Sequence, residues 1–318
     1  MNNRRTFVKN ATLGTITMVA APQIIHASKS LNQRPDMSIP KISLAQWSLH
    51  RALEKGEIKA VDFAAIAKNT YDIDAIEYVN QFYVDRANDE KFWSQLRQKA
   101  ENEGVKSLLI MVDNEGELGN LKADERKKAV ENHFKWINAA KILGCHSIRV
   151  NAFGKGSMKA LEASLMDGLG QLAEYGAKEE INVLVENHGL HTSNASFITG
   201  IIKQIGNPFL GTLPDFGNWC LTAEWGSTAN GKNCAEIYPQ AKAIEEFLPF
   251  AKGVSAKTYD FDSNGNQSLI DYPKLLQLVK DSNFDGYIGI EYEGENLSEH
   301  EGIKATKALL EKIWATLK

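Results

Sequence analysis

The 318-residue chain alternates short apolar runs with longer amphipathic stretches. Eight runs read as strands: 41–48 (KISLAQWS), 75–80 (AIEYVN), 106–113 (KSLLIMVD), 147–152 (SIRVNA), 182–187 (NVLVEN), 210–215 (LGTLPD), 253–259 (GVSAKTY) and 287–293 (YIGIEYE). Between them, apolar residues recur at helical spacing over 60–70, 90–104, 124–144, 158–180, 195–206, 235–251, 272–283 and 300–318. Gly104, Gly144 and Gly206 close three of these stretches, as helix C-terminal glycines do. Eight β–α units with mostly apolar strands predict parallel strands covered by helices. The length and the strand count together predict an α/β fold, a (β/α)8 TIM barrel, over an open doubly wound sheet. No G-x-G-x-x-G follows the first strand and no G-x-x-x-x-G-K-[ST] occurs, so nucleotide-binding readings lose their usual support.

The first 35 residues do not share this rhythm. A charged start, NRRTFVKN, precedes the apolar run ATLGTITMVAAPQII and the small-residue stretch HAS, with a cleavage site expected after Ala27. The run is too short for a mature membrane span. The pair Arg4-Arg5 with Phe7 and Lys9 resembles a twin-arginine signal, which implies export in the folded state to the periplasm or cell surface. The barrel is therefore expected over 36–318. Removing Arg4, Arg5 and Lys9 leaves 33 basic against 40 acidic residues, a mature charge of about −7. That balance argues against a nucleic-acid partner, which needs a basic face. Three cysteines are too few for a disulfide scaffold. Cys145 opens a strand and reads as core, while Cys220 and Cys234 share one loop and either pair or stay free.

In a (β/α)8 barrel the chemistry lies at the C-terminal ends of the strands. Those ends are polar here: Glu77, Asn80 and Gln81 on the second, Asp113 on the third, Arg149 and Asn151 on the fourth. The fifth gives Glu186 and His188, the sixth Asp215 and Asn218, the seventh Lys257, the eighth Glu291 and Glu293. Any one such carboxylate can be a helix cap, and a lone histidine can be a structural residue. Carboxylates from strands five, six and eight gathered in one cavity are costly unless a divalent cation or buried bases offset them. Oxygen ligands with one histidine suit Mg, Mn, Co or Zn. The internal bases are Lys257 and Arg149. Among loop aromatics that could stack on a sugar face, Trp47, Phe82, Tyr83, Phe153, Trp219 and Trp225 all fall near strand ends.

The segments VENHG, GTLPDFGN and IGIEYEG resemble the xylose isomerase-like barrels, a family of sugar and sugar-phosphate isomerases and epimerases and inosose dehydratases, with endonuclease relatives. The resemblance implies one divalent metal held by Glu, Asp, His and Glu on strands five to eight. Glu186, Asp215 and Glu291 match three of these positions. The fourth departs: where the family reads V-H-x-K-D, this chain reads VSAKTYD, with Ser255 in place of the histidine and Lys257 kept. His188, on the same face as Glu186, is the expected substitute ligand. In the alternative, Lys257 itself replaces the metal as electrostatic partner. The resemblance further implies that Glu186 and Glu291 move a proton beside a substrate carbonyl, with Lys257 assisting. The expected substrate contacts are His188, Asn151, Arg149, Glu77, Trp219 and Glu293. The expected substrate is a small carbohydrate; no membrane contact is expected after signal removal, and the oligomeric state stays open. Two other activities fit the same residues. One is a lyase or dehydratase on a keto-sugar, keto-glycoside or keto-inositol. The other is a non-catalytic barrel that binds carbohydrate.

Overall fold

A computed structural model of the protein describes residues 39–227 and 234–318. The signal expected over residues 1–35 lies outside the described residues. Each apolar run forms a strand: β1 Ile42–Ala45, β2 Ala75–Val79, β3 Lys106–Val112, β4 Ser147–Asn151, β5 Asn182–Glu186, β6 Leu210–Leu213, β7 Val254–Thr258 and β8 Ile288–Tyr292. All ladders are parallel, in the order β6-β5-β4-β3-β2-β1-β8-β7. The end strands meet through the parallel bridges Thr212–Ala251 and Asp215–Ser255. There the N–H of Ser255 donates to Pro214 O and the N–H of Phe216 to Ser255 O. The sheet thus curls into a (β/α)8 barrel.

The helices are α1 His50–Glu54, α2 Phe63–Tyr71, α3 Glu90–Asn102, α4 Ala123–Leu143, α5 Met158–Glu179, α6 Ala195–Ile205, α7 Gln240–Phe247, α8 Tyr272–Asp281 and α9 Glu299–Trp314. Two elements fall well short of the bounds the pattern predicts. The first strand stops at Ala45 because Gln46 turns inward: its Oε1 accepts the Val79 N–H and its Nε2 donates to the Tyr83 hydroxyl. The helix expected over 235–251 keeps only 240–247. Ahead of it, Tyr238 N–H donates to Trp219 O and Leu221 N–H to Glu236 O, an extended pairing that Pro239 ends. Cys220 and Cys234, whose pairing the sequence left open, form a disulfide with Cα atoms 5.7 Å apart across this segment.

Side chains alternate across each strand. Outward residues such as Ile148, Val150, Val183, Val185, Ile288 and Ile290 join Leu169, Leu172, Leu309 and Leu310 of the helices in one large apolar core. Inward residues build a thin apolar layer of Ala45, Val79, Leu109, Met111, Leu184 and Leu213. The other inward positions are polar yet buried, among them Ser43, Glu77, Arg149, Glu186, Ser255, Lys257 and Glu291.

Candidate active site

A cavity of about 420 Å³ opens at the C-terminal end of the barrel. Every strand end contributes to its wall. Trp47 follows β1, Val79 and Gln81 come from β2, Asp113 follows β3 and Arg149 stands on β4. His188 follows β5, Asn218 follows β6, Lys257 lies on β7, and Glu291 with Glu293 closes the circle at β8. Trp225, in the loop after β6, adds an aromatic face that packs on His188 and Phe153.

At the floor, Glu186, Asp215 and Glu291 each bring an oxygen within 4.8 Å of the others, and all three are buried. Lys257 Nζ lies 3.9 Å from Asp215, 3.5 Å from Glu291 and 3.1 Å from Glu293. Arg149 pairs with Asp113 at 2.5 Å and Glu186 at 2.6 Å. Its contact with Glu186 is an ion pair without hydrogen-bond alignment, so both Glu186 oxygens lack a hydrogen-bonding partner among the described residues. Burial pushes the Glu186 carboxyl well above the carboxylate range; Arg149 opposes this, and Glu291 and Asp215 add to it. Burial likewise pushes Asp215 up to about 7 against the pull of Lys257. Burial opposes the charge on Lys257, but Asp215, Glu291 and Glu293 hold its pKa well above the lysine range.

Ser255 Oγ is 2.5 Å from Asp215 Oδ2 and 2.9 Å from Glu291 Oε2. A hydroxyl carries one hydrogen, so the second short contact requires a proton on a carboxyl. A cation at this point would replace that proton. Buried, orphaned carboxylate oxygens clustered with a hydroxyl are a donor set for a divalent ion. The residues present therefore fit one.

Asp113 organises the opposite wall. Its Oδ1 accepts from Arg149 Nη1 and, at 2.6 Å, from Asn151 Nδ2. That leaves Asn151 Oδ1 as acceptor for His188 Nδ1 at 2.6 Å. The network places the His188 proton on Nδ1 and leaves Nε2 as a free acceptor. Burial, then Arg149 and Lys257, drive the His188 pKa well below its usual value, so the ring is neutral.

The structure brings Glu186, Asp215, Glu291, Lys257, Arg149, His188 and Glu293 together, and it corrects four expectations. Trp219 is fully buried, packed edge-on against Phe247 in the outer core, and does not face the cavity. Trp225, in the same loop, lines the cavity instead. Glu77 points into the barrel below the cavity, where its Oε1 accepts from Ser43 Oγ at 2.6 Å. Asn151 holds His188 and does not line the wall. His188 is not part of the three-carboxylate cluster: its Nδ1 lies 3.6 Å from Glu186 Oε2 but is bonded to Asn151. Asp113 was legible only as a polar strand end, and nothing local marks it as the hub.

A polar mouth at the C-terminal ends of eight parallel strands is the active-site arrangement of (β/α)8 enzymes. Residues 63–313 match the xylose isomerase-like TIM barrel model, and the chain belongs to that family. A mouse protein described as a putative hydroxypyruvate isomerase is 26% identical over 217 residues, 62% of this chain and 73% of its own length. Among solved structures, 3-keto-D-glucoside 4-epimerase from E. coli superposes with a TM-score of 0.63 at 13% identity, over 86% of this chain and 99% of its own. A xylose isomerase-like barrel from Mycobacterium smegmatis in complex with magnesium gives 0.60 at 14%, over 87% and 97%. At such identities the two structures speak for the fold.

Proposed function

We propose that the protein is a sugar isomerase or epimerase that moves a proton at the carbon beside a carbonyl, with Glu186 and Glu291 as the acid/base pair. The observation that carries this reading is the buried cluster of Glu186, Asp215 and Glu291, in which both Glu186 oxygens lack a hydrogen-bonding partner. A divalent cation held by these three, with Ser255 Oγ beside them, would supply the positive charge that polarises the carbonyl. Glu186 Oε1, met by no donor among the described residues, is the atom left to take the proton. Glu186 and Glu291 stand on strands three apart in the barrel. A proton taken by one and returned by the other inverts a carbon; returned to the neighbouring carbon, it isomerises the sugar. Lys257 pairs with Glu291 and lines the cavity, where its charge would face the developing oxyanion. His188 Nε2 accepts a substrate hydroxyl, Glu293 and Arg149 serve other hydroxyls, and Trp47 and Trp225 offer apolar ring faces.

One observation favours a second reading. Lys257 Nζ donates to Glu293 at the rim at 3.1 Å, a pair able to hand a proton to a departing oxygen. Proton abstraction followed by breaking the next C–O bond would make the protein a lyase or dehydratase. We also propose export, supported by the Cys220–Cys234 disulfide, which suits an oxidising compartment. No helix among the described residues is long and apolar enough to cross a membrane.

The test joins metal content by plasma mass spectrometry to turnover of ketoses and keto-glycosides in D2O, read by NMR and mass. The expected result is about one equivalent of metal, absent from Glu186→Gln and Asp215→Asn, with deuterium entering beside the carbonyl. A product of conserved skeleton identifies the isomerase; loss of water or an aglycone identifies the lyase. No metal after exposure to Mg, Mn, Co or Zn overturns metal assistance. Loaded protein that exchanges no deuterium overturns the enzyme reading in favour of a carbohydrate-binding barrel.

A further inference from the structure

We infer that the site takes an uncharged polyhydroxy substrate and rejects phosphorylated ones. This rests on reading the cavity as a carbohydrate site and adds the charge class of what enters it.

The first observation is the charge balance at the mouth. Among the described residues, Asp113, Glu186, Asp215, Glu291 and Glu293 face only two cations, Arg149 and Lys257. Both cations are already engaged: Arg149 by two carboxylates and Lys257 by three. Acids thus outnumber bases five to two among these groups. Nothing in this wall has positive charge to spare for an anion, and a phosphate would lie against Asp113, Glu291 and Glu293, which line the cavity.

The second observation is independent of that balance. Barrels of this architecture commonly hold phosphate on backbone N–H groups of the loops after strands seven and eight and at a neighbouring helix N-terminus. In this protein its own carboxylates occupy those donors. Asp260, just past β7, accepts through Oδ1 from the N–H groups of Glu295 at 3.0 Å and Asn296 at 2.8 Å, in the loop after β8. At the start of α8, Asp271 accepts the Lys274 N–H at 3.1 Å. At the start of α9, Ser298 and Glu301 satisfy each other's N–H groups in a capping box. The anion corner is present in outline, and an internal anion, Asp260, already fills it.

Calorimetric titration of the full chain, in Mg2+, tests this with three probes: D-fructose, D-fructose 6-phosphate and inorganic phosphate. The expected result is no saturable phosphate binding, and an ester that binds about tenfold or more weaker than the parent ketose. Saturable phosphate binding, or an ester that binds more tightly than fructose, overturns the inference. Asp260→Ala frees the two N–H groups. With its melting temperature preserved, the variant is expected to gain phosphate binding of about tenfold or more over the wild type. A folded variant that gains none overturns the role given to Asp260, and this arm decides the matter even where neither sugar binds. These are binding measurements, so absent metal or absent proton exchange leaves them standing, and the two readings fail separately.

Discussion

The two faces of one sheet do opposite work. Outward, Ile148, Val183, Val185 and Ile290 meet the helices in a continuous apolar core. Inward, one residue along the same strands, Arg149, Glu186 and Glu291 sit among charges, with only six residues in the inner apolar cluster. The outer face gains free energy from area removed from water. The inner face gives much of that gain up, because buried carboxylates with unsatisfied oxygens cost free energy. A strand can carry both because its side chains alternate. Stability and chemistry are thus separated by a single residue step.

Exchanging an inner residue should therefore break function and spare the fold. Glu186→Gln is expected to cut turnover by about 10²–10⁴-fold. Its melting temperature should hold or rise, because a buried carboxylate is replaced by a neutral amide; a large drop would mean the carboxylate is structural. The outer face should respond the other way. Leu172→Ala, in α5 and fully buried, is expected to cost about 2–5 kcal/mol in denaturant unfolding, while turnover per folded molecule stays near wild type.

Lower in the barrel the comparison can be sharpened, because Glu77 is a polar inner residue with no place in the cavity wall. A Cβ added at Gly289 would come within 2.6 Å of Glu77 Oε1. Gly289→Ala is expected to cost about 1–3 kcal/mol. In a Glu77→Ala background most of that cost should vanish, which a double-mutant cycle reads directly. The smallest effect is with pH. Burial pushes Glu77 up to about 7 against the hydrogen bond from Ser43. Its folded-state pKa lies above the unfolded one, so the folded protein holds the extra proton, and this contribution is present in acid and lost as pH rises through about 7. Melting of chelator-treated protein from pH 5 to 8 should show a decline that Glu77→Gln reduces in part, since burial also raises Asp215 to about 7.

The same step of one residue explains what was legible in the sequence. A period of two is local, so all eight strands could be read, with Glu186, Asp215 and Glu291 at the ends of β5, β6 and β8. Boundaries slipped where a distant partner intervened, as when Gln46 reached Val79 and Tyr83 and cut β1 short. Trp219 and Trp225 lie in one loop, and composition gave both the same promise; only packing against Phe247 sent the first inside.

By itself, then, the sequence determined the alternation, the barrel class, the end that carries chemistry, and the carboxylates delivered there. Each of these follows from contacts along one strand or one helix turn. Closure of the sheet decided the rest: Ser255 between Asp215 and Glu291, His188 tied through Asn151 to Asp113, Lys257 among three carboxylates, and Asp260 on the N–H groups of the next loop. Those partners are 35 to 40 residues apart in most cases. They become neighbours only when parallel strands, each needing a helix to return, are laid side by side around a barrel, and no local pattern encodes which of their side chains will meet.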